Sequence, residues 1–278
     1  DRIPTLGNYL YLSGTTFFTL GYGDVTPLSP VGRVLAVIES GLGFAFLAVI
    51  IGYLPSLSQA FSRREVQISL LDAHAGSPPS AAQMLLRLAQ SGDLAAIDPI
   101  LKDWEQWAAE LLESHLSFPV LGYYRSQHDN QNWVAALATI LDTCAFLIAE
   151  VKSKSSYHAR FTFAMARHAA VDLSLVLKVR PKKLDEDRFV QHELQQMKKM
   201  LAEAGLVIRE GTDSDAKFAE LRGMYEPFIN ALAQRLMFFI PEISPDEVPP
   251  DNWQRSPGMR TPGIGNLPAA APTEEHFG

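Results

Sequence analysis

Hydrophobic positions are concentrated at one end of this chain. Val34 to Leu54 reads VLAVIESGLGFAFLAVIIGYL, a run of 21 residues interrupted by one charge, Glu39. A helix of that length rises roughly 31 Å, the thickness of a bilayer's hydrocarbon core. The run therefore predicts a transmembrane helix, because helices of soluble folds rarely stay apolar on every side for so long. Pro55 predicts its end. Arg63 and Arg64 follow, and by the positive-inside tendency they predict that residues 62–278 are cytoplasmic. Ahead of the run, Tyr9 to Phe18 is apolar and aromatic, but as a helix it covers only about 15 Å, half a bilayer. That length predicts a re-entrant or interfacial element.

Beyond residue 61 the pattern changes to amphipathic helices, at roughly 62–74, 80–91, 97–115, 130–151, 156–179, 185–204 and 213–239. They are broken by Gly76-Ser-Pro-Pro, Ser117-Phe-Pro, Arg180-Pro and Gly205. No β-branched alternation marks a strand. In 130–151, Trp133, Leu137, Ile140, Leu141, Cys144, Leu147 and Ile148 follow the helical period. Its core from Val134 to Ala149 is broken only by Asp142, so a second span has to be weighed. Its shortness and the central carboxylate favour a buried helix of a soluble bundle.

Composition sharpens this division. Residues 1–61 hold only five charged side chains (Asp1, Arg2, Asp24, Arg33 and Glu39), and the other fifty lie beyond. A net charge of -7 without a clustered basic surface excludes nucleic acid as a natural partner. The single cysteine, Cys144, excludes an internal disulfide framework and a multi-cysteine zinc site, and its place on an apolar stripe reads as core. The seven histidines never fall three or four residues apart, and no nucleophile elbow, zinc motif or phosphate loop is present, so an enzyme is not expected. Gly263-Ile-Gly265 lacks the preceding strand and third glycine of a dinucleotide fingerprint. The chain begins with Asp and shows no signal peptide, which predicts that an upstream part is missing.

The most specific chemistry lies between the half-length and the full-length helix, at Thr19-Leu20-Gly21-Tyr22-Gly23-Asp24. Non-helical backbone at membrane depth is tolerated only where it lines a water- or ion-filled path. Stripping water from an ion requires carbonyl oxygens at successive levels, in φ/ψ regions that L-residues avoid and glycine accepts. Gly21 and Gly23, alternating with larger residues, meet that requirement. The sequence TLGYGD strongly resembles the selectivity filter of the potassium channel family, Thr-Val-Gly-Tyr-Gly-Asp, with Leu20 in the valine position. The resemblance runs from about Tyr9 to Leu54 in the order of a two-span prokaryotic channel of the ion-transport-2 type: pore helix, filter, Asp-Val-Thr-Pro exit turn, inner helix.

What the resemblance implies is specific. Carbonyls of Thr19, Leu20, Gly21 and Tyr22, the Thr19 hydroxyl and the backbone at Gly23 would coordinate K+, which is the permeant ion; no cofactor is implied. Asp24 would attract cations at the outer mouth, and Tyr22 would anchor the filter against the pore helix. The pore helix, ending near Thr16 and Phe17, would aim its negative end at the ion cavity. Phe18 stands where many relatives have a second threonine, a departure at the lower end of the filter. Gly43, nineteen residues after Asp24, would be the gating hinge, with Gly41 beside it; close helix packing by small residues is the alternative. Glu39 is a carboxylate inside the membrane that Ser13, Thr15 or Thr16 could satisfy, or else part of the ion path.

The expected fold is all-α. Residues 1–61 form the pore module, with its first transmembrane helix upstream; residues 62–240 form a helical cytoplasmic domain and 241–278 a proline-rich flexible tail. The expected partners are membrane lipid, three further copies in a homotetramer, and an unidentified cytoplasmic ligand, in a multi-pass plasma-membrane protein. Two other readings stay open: a weakly selective cation channel, and a membrane-tethered sensor or interaction module whose cytoplasmic domain is the main actor. Within that domain the aromatic stretch His115 to Trp133 reads as helix-junction packing or as a pocket. The basic run Lys178 to Lys183 reads as a solvated helix boundary or as a contact for anionic lipid.

Overall fold

Helices account for nearly all regular structure in the computed structural model, which describes residues 5–92, 94–127, 131–153, 156–182 and 188–245. The exceptions among them are two 3-10 turns, Leu94–Ala96 and Pro119–Tyr123, and one antiparallel bridge between Val151 and Ile208. The chain divides into two compact units, Asp1–Ala60 and Phe61–Gly278. The proline-rich tail lies outside the described residues from 246 onward, as do Gly263-Ile-Gly265, His128 and Lys183.

The first unit holds α1, Leu6–Phe17, and most of α2, Pro30–Ala75. Thr5 caps α1 by accepting from the Asn8 amide. Ser29 does the same for α2, where its hydroxyl oxygen accepts from the Gly32 amide at 3.0 Å and Pro30 supplies a first helical position that needs no N–H. α2 corrects the expected stop at Pro55. The helix runs through it for 46 residues and absorbs the predicted helix 62–74. One proline removes one hydrogen bond, to the Ile51 carbonyl, and a ladder of this length on both sides of the gap outlasts that loss. None of α1 is buried, and the most apolar part of α2 is almost entirely exposed within the chain. α2 is the one described helix long and apolar enough to cross a membrane.

The second unit is built around α5, Trp133–Ala149, all seventeen residues of which are buried. Around it pack α3 (Ala81–Gln90), α6 (Ser156–Val176), α8 (Thr212–Gly223) and α9 (Glu226–Leu236), while α4 (Ile97–Ser117) packs on α6 and α7 (Gln191–Glu203) on α3. Asn132 starts α5 by accepting from the Ala135 amide at 2.7 Å. A helix apolar on every side is thus covered by neighbouring protein. The predicted helix 213–239 is interrupted at Met224–Tyr225, because Pro227 falls in the first turn of α9, where a missing N–H costs nothing and the chain can restart. The predicted start of helix 185–204 falls partly on residues 183–187, outside the described set; α7 begins at Gln191, where Glu193 reaches back to the Val190 amide at 2.9 Å.

Buried charge fixes the packing of α5. Arg188 donates to both oxygens of Asp142 at 2.9 and 3.0 Å and to Glu226 at 2.9 Å, and the Tyr225 hydroxyl donates to Asp142. Burial pushes the Asp142 carboxyl pKa up, against the pull of Arg188. Burial works against the Arg188 charge, yet Asp142 and Glu226 outweigh it and hold its pKa above the usual value. A second cluster joins Lys198 to Glu150 at 2.7 Å and to Asp215 at 2.6 Å. Burial of Asp215 is outweighed there by Lys198, which lowers the carboxyl pKa. Cys144 is buried in the core with its thiol pKa raised by burial.

Candidate ion-coordinating site

α1 ends just before the TLGYGD segment and supplies acceptors to its start. Phe18 N donates to the Gly14 carbonyl at 3.0 Å, Thr19 N to Thr16 at 3.0 Å, and Leu20 N and Gly21 N both to Thr15, at 2.8 and 3.3 Å. Four successive amides are thus used on carbonyls of the last turns of α1, which would otherwise lack partners. Among the described residues no donor reaches the carbonyls of Thr19, Leu20, Gly21 or Tyr22.

The backbone dihedrals alternate along the same stretch. Thr19, Gly21 and Gly23 have φ of 58°, 58° and 77°, while Leu20 and Tyr22 keep the ordinary negative sign. Alternating handedness turns successive carbonyls to one side of a strand and amides to the other. Glycine serves here through conformation alone, since an added Cβ at Gly21 or Gly23 would meet nothing within 4 Å. Thr19 was expected to contribute a hydroxyl, and it also takes the left-handed conformation, at a cost of about 1–2 kcal/mol for an L-residue.

Asp24 closes the segment and is held by a residue that the sequence did not single out. The Tyr11 hydroxyl donates to both its carboxylate oxygens, at 2.9 and 3.1 Å. Thirteen residues separate the two, so no local spacing marks the pair. Tyr22 is 69% exposed within the single chain. Phe18 is exposed as well, in edge contact with Phe17 at 5.3 Å, and Phe17 in turn lies 6.0 Å from Phe46 on α2. The end of α1 that was expected to face an ion cavity has its Thr16 carbonyl bonded to Thr19 and its Phe17 carbonyl against α2.

That contact explains Gly43. A Cβ there would lie 1.8 Å from the Phe17 carbonyl oxygen, so only hydrogen fits where α2 crosses the end of α1. Gly41 faces open space. Of the three hydroxyls considered for Glu39, Ser13 is the one that donates to its carboxylate, while the Thr15 hydroxyl donates to the Leu12 carbonyl at 3.0 Å. The two contacts, Ser13 with Glu39 and Phe17 with Gly43, set α1 against one stripe of α2, because residues four apart lie on the same helix face.

The other sequence candidates fall in the second unit. Arg64, one of the two arginines behind the expected orientation, is buried: its Nη1 and Nη2 each donate at 2.8 Å, to the Leu121 and Tyr124 carbonyls, and its Nε pairs with Glu65 at 2.8 Å. Arg63 is exposed. Within the aromatic stretch His115 to Trp133 several described residues pack: the His115 and Trp133 rings lie 5.3 Å apart, Trp133 donates to the Gly122 carbonyl at 3.3 Å, and Phe61 meets Tyr124 at 6.0 Å. Burial, with the nearby Arg64 charge, lowers the His115 pKa to about 4. No cluster able to hold a metal ion occurs among the described residues.

Residues 2–59 match the family model described as "Ion channel". The same end is similar to Protein LctB of Bacillus caldotenax, 49% identical over 51 residues, and of Geobacillus stearothermophilus, 47% over 51 residues, in each case 18% of this chain and 37% of the relative. A longer stretch is similar to the uncharacterized membrane protein YdjJ of Bacillus subtilis, 27% identical over 134 residues, 47% of this chain and 38% of that protein. The chain thus spans less than two fifths of the length of these relatives. No solved structure matches it significantly. With a long apolar helix, a half-length helix before it and the alternating backbone between them, residues 2–59 are an ion channel domain of a membrane protein.

Proposed function

We propose that this chain is a subunit of a potassium channel, giving passive K+ permeation through a filter formed by the carbonyls of Thr19, Leu20, Gly21 and Tyr22 and the Thr19 hydroxyl, with Gly23 in the same backbone and Asp24 at the outer mouth. The observation that carries this reading is the segment 19–23, in which the first amides are tied to α1, φ alternates in sign and the carbonyls are left without donors. Carbonyls so arranged replace the hydration shell of a cation. One chain supplies one wall of such a path, so we read the assembly as a homotetramer. The exposed Tyr22 and Phe18 and the uncovered apolar faces of α1 and α2 then meet neighbouring copies and lipid. In this reading Asp24, held by Tyr11, places fixed negative charge at the entrance, and residues 62 onward lie on the cytoplasmic side.

The test is a bi-ionic reversal potential, measured on the full-length protein in planar bilayers with K+ on one side and Na+ on the other. A selective filter gives a large potential whose sign follows K+. A value near zero would replace the reading by that of a weakly selective cation channel.

A further inference from the structure

Two segments of the second unit that lie far apart in sequence meet in the fold. The 3-10 turn Pro119–Tyr123 exposes Val120, Tyr123 and Tyr124 at 41%, 52% and 41%. Beneath it, a Cβ on Gly122 would lie 3.0 Å from the Leu177 side chain, so the end of α6 is packed directly on the turn. Leu177 is followed at once by Lys178, Arg180 and Lys182, all exposed. The aromatic turn and the start of the basic run, separate in sequence, are therefore neighbours in the fold, whereas Lys182 further along is held at α9, its side chain donating to Gln234 at 3.1 Å and its amide to the Pro227 carbonyl at 2.9 Å.

The same turn is fastened to α2. Arg64 binds its Leu121 carbonyl and that of Tyr124 just after it, and Phe61 packs on Tyr124. Phe61 follows Leu54, the last residue of the apolar run, by seven positions, so the turn is tied close in sequence to the segment expected to cross the membrane. Such a segment is flanked on each side by a headgroup layer roughly 5–8 Å deep. Exposed tyrosines beside lysine and arginine are what this layer accommodates: the rings are amphipathic, and the cations meet lipid phosphates.

We propose that this face, Val120, Tyr123 and Tyr124 with Lys178 and Arg180, rests on the bilayer surface and binds anionic lipid headgroups. The inference goes beyond ion permeation and stands whether or not the pore is selective for K+, since its test reads lipid contact and not flux. Attachment to lipid also accounts for the exposed apolar rings of this turn, for which water is the less favourable neighbour.

The experiment uses the full chain in nanodiscs, with a spin label on Val120→Cys and on Glu203→Cys, an exposed position of α7; buried Cys144 does not compete for label. Collision with oxygen, enriched in lipid, is compared with collision with a water-soluble nickel chelate. The expected result is an oxygen-to-nickel ratio at position 120 well above that at position 203, rising further when anionic lipid replaces part of a zwitterionic bilayer. Reversing two charges, K178E/R180E, lowers the anionic-lipid effect by about five-fold or more, the factor that one basic residue contributes at an anionic surface. Nickel accessibility at position 120 equal to that at 203 overturns the proposal. So does low accessibility to both reagents, which would identify a protein interface, and so does indifference to lipid charge.

Discussion

At the scale of single residues the two kinds of glycine in the channel domain have opposite physical reasons. Gly21 and Gly23 have free space and a left-handed backbone, whereas Gly43 has an ordinary helical backbone and no space. Gly43→Ala is therefore expected to destabilise the domain by about 1–3 kcal/mol through overpacking against the Phe17 carbonyl. Gly41→Ala is expected to be neutral or stabilising by up to about 1 kcal/mol through helix propensity. Thermal melts of the two variants in detergent check this, and equal effects would remove the packing account. His115 supplies a pH prediction. Its Nδ1 lies 2.7 Å from the Leu111 carbonyl and so carries the proton, while Nε2 is buried without a partner, which leaves no acceptor for a second N–H. With its folded pKa lowered to about 4, the unfolded chain binds the extra proton first as pH falls below 6.5. Stability is expected to drop between pH 6.5 and 4 by up to about 3 kcal/mol, and His115→Leu should flatten that slope in urea titrations at pH 7, 5.5 and 4.5.

At the scale of elements α5 and α2 pose the same question and answer it differently. Both contain long apolar stretches with a carboxylate inside. In α5, Asp142 meets Arg188 and Tyr225, and the helix is enclosed by others; in α2, Glu39 meets one serine hydroxyl and the surrounding apolar surface is uncovered. The ion pair marks a protein interior, because removing two charges from water is tolerated when each finds the other. Asp142→Ala leaves Arg188 buried beside Glu226 alone and is expected to cost about 3–5 kcal/mol. Denaturant unfolding followed by far-UV circular dichroism measures it, and a loss below about 1 kcal/mol, the level of a surface pair, would mean that the network is dispensable. Pro55 is accounted for by the length of the helix: one missing hydrogen bond leaves the ladder intact on both sides of it within 46 residues, so the proline does not end this helix.

At the scale of the whole molecule the chain is two units, one whose apolar helix is uncovered within the chain and one with an enclosed core. The core of the second unit, from Ile68 to Ile243, lies entirely within residues 61–245. Those residues expressed alone are expected to be helical and to unfold with a midpoint within roughly 4 °C of the same transition in the full chain, the shift that about 1 kcal/mol produces in a domain of this size. Calorimetry of both forms checks this, and a broad, weak transition in the shorter form would show that the unit needs its membrane helix. Much of this organisation was legible in the amino-acid order, because it depends on local properties. Helical periods, the apolar length of Val34 to Leu54 and the glycine spacing at 21 and 23 are all set by residues within a few positions of one another. Only the tertiary structure decided that Tyr11 holds Asp24, that Gly43 receives Phe17, that Asp142 lies opposite Arg188, that Arg64 is buried and that Leu177 packs on Gly122. Each of these joins positions thirteen or more apart through side-chain directions and close packing, which no periodicity encodes: pattern settles which surfaces must be covered, and three-dimensional contact settles by what.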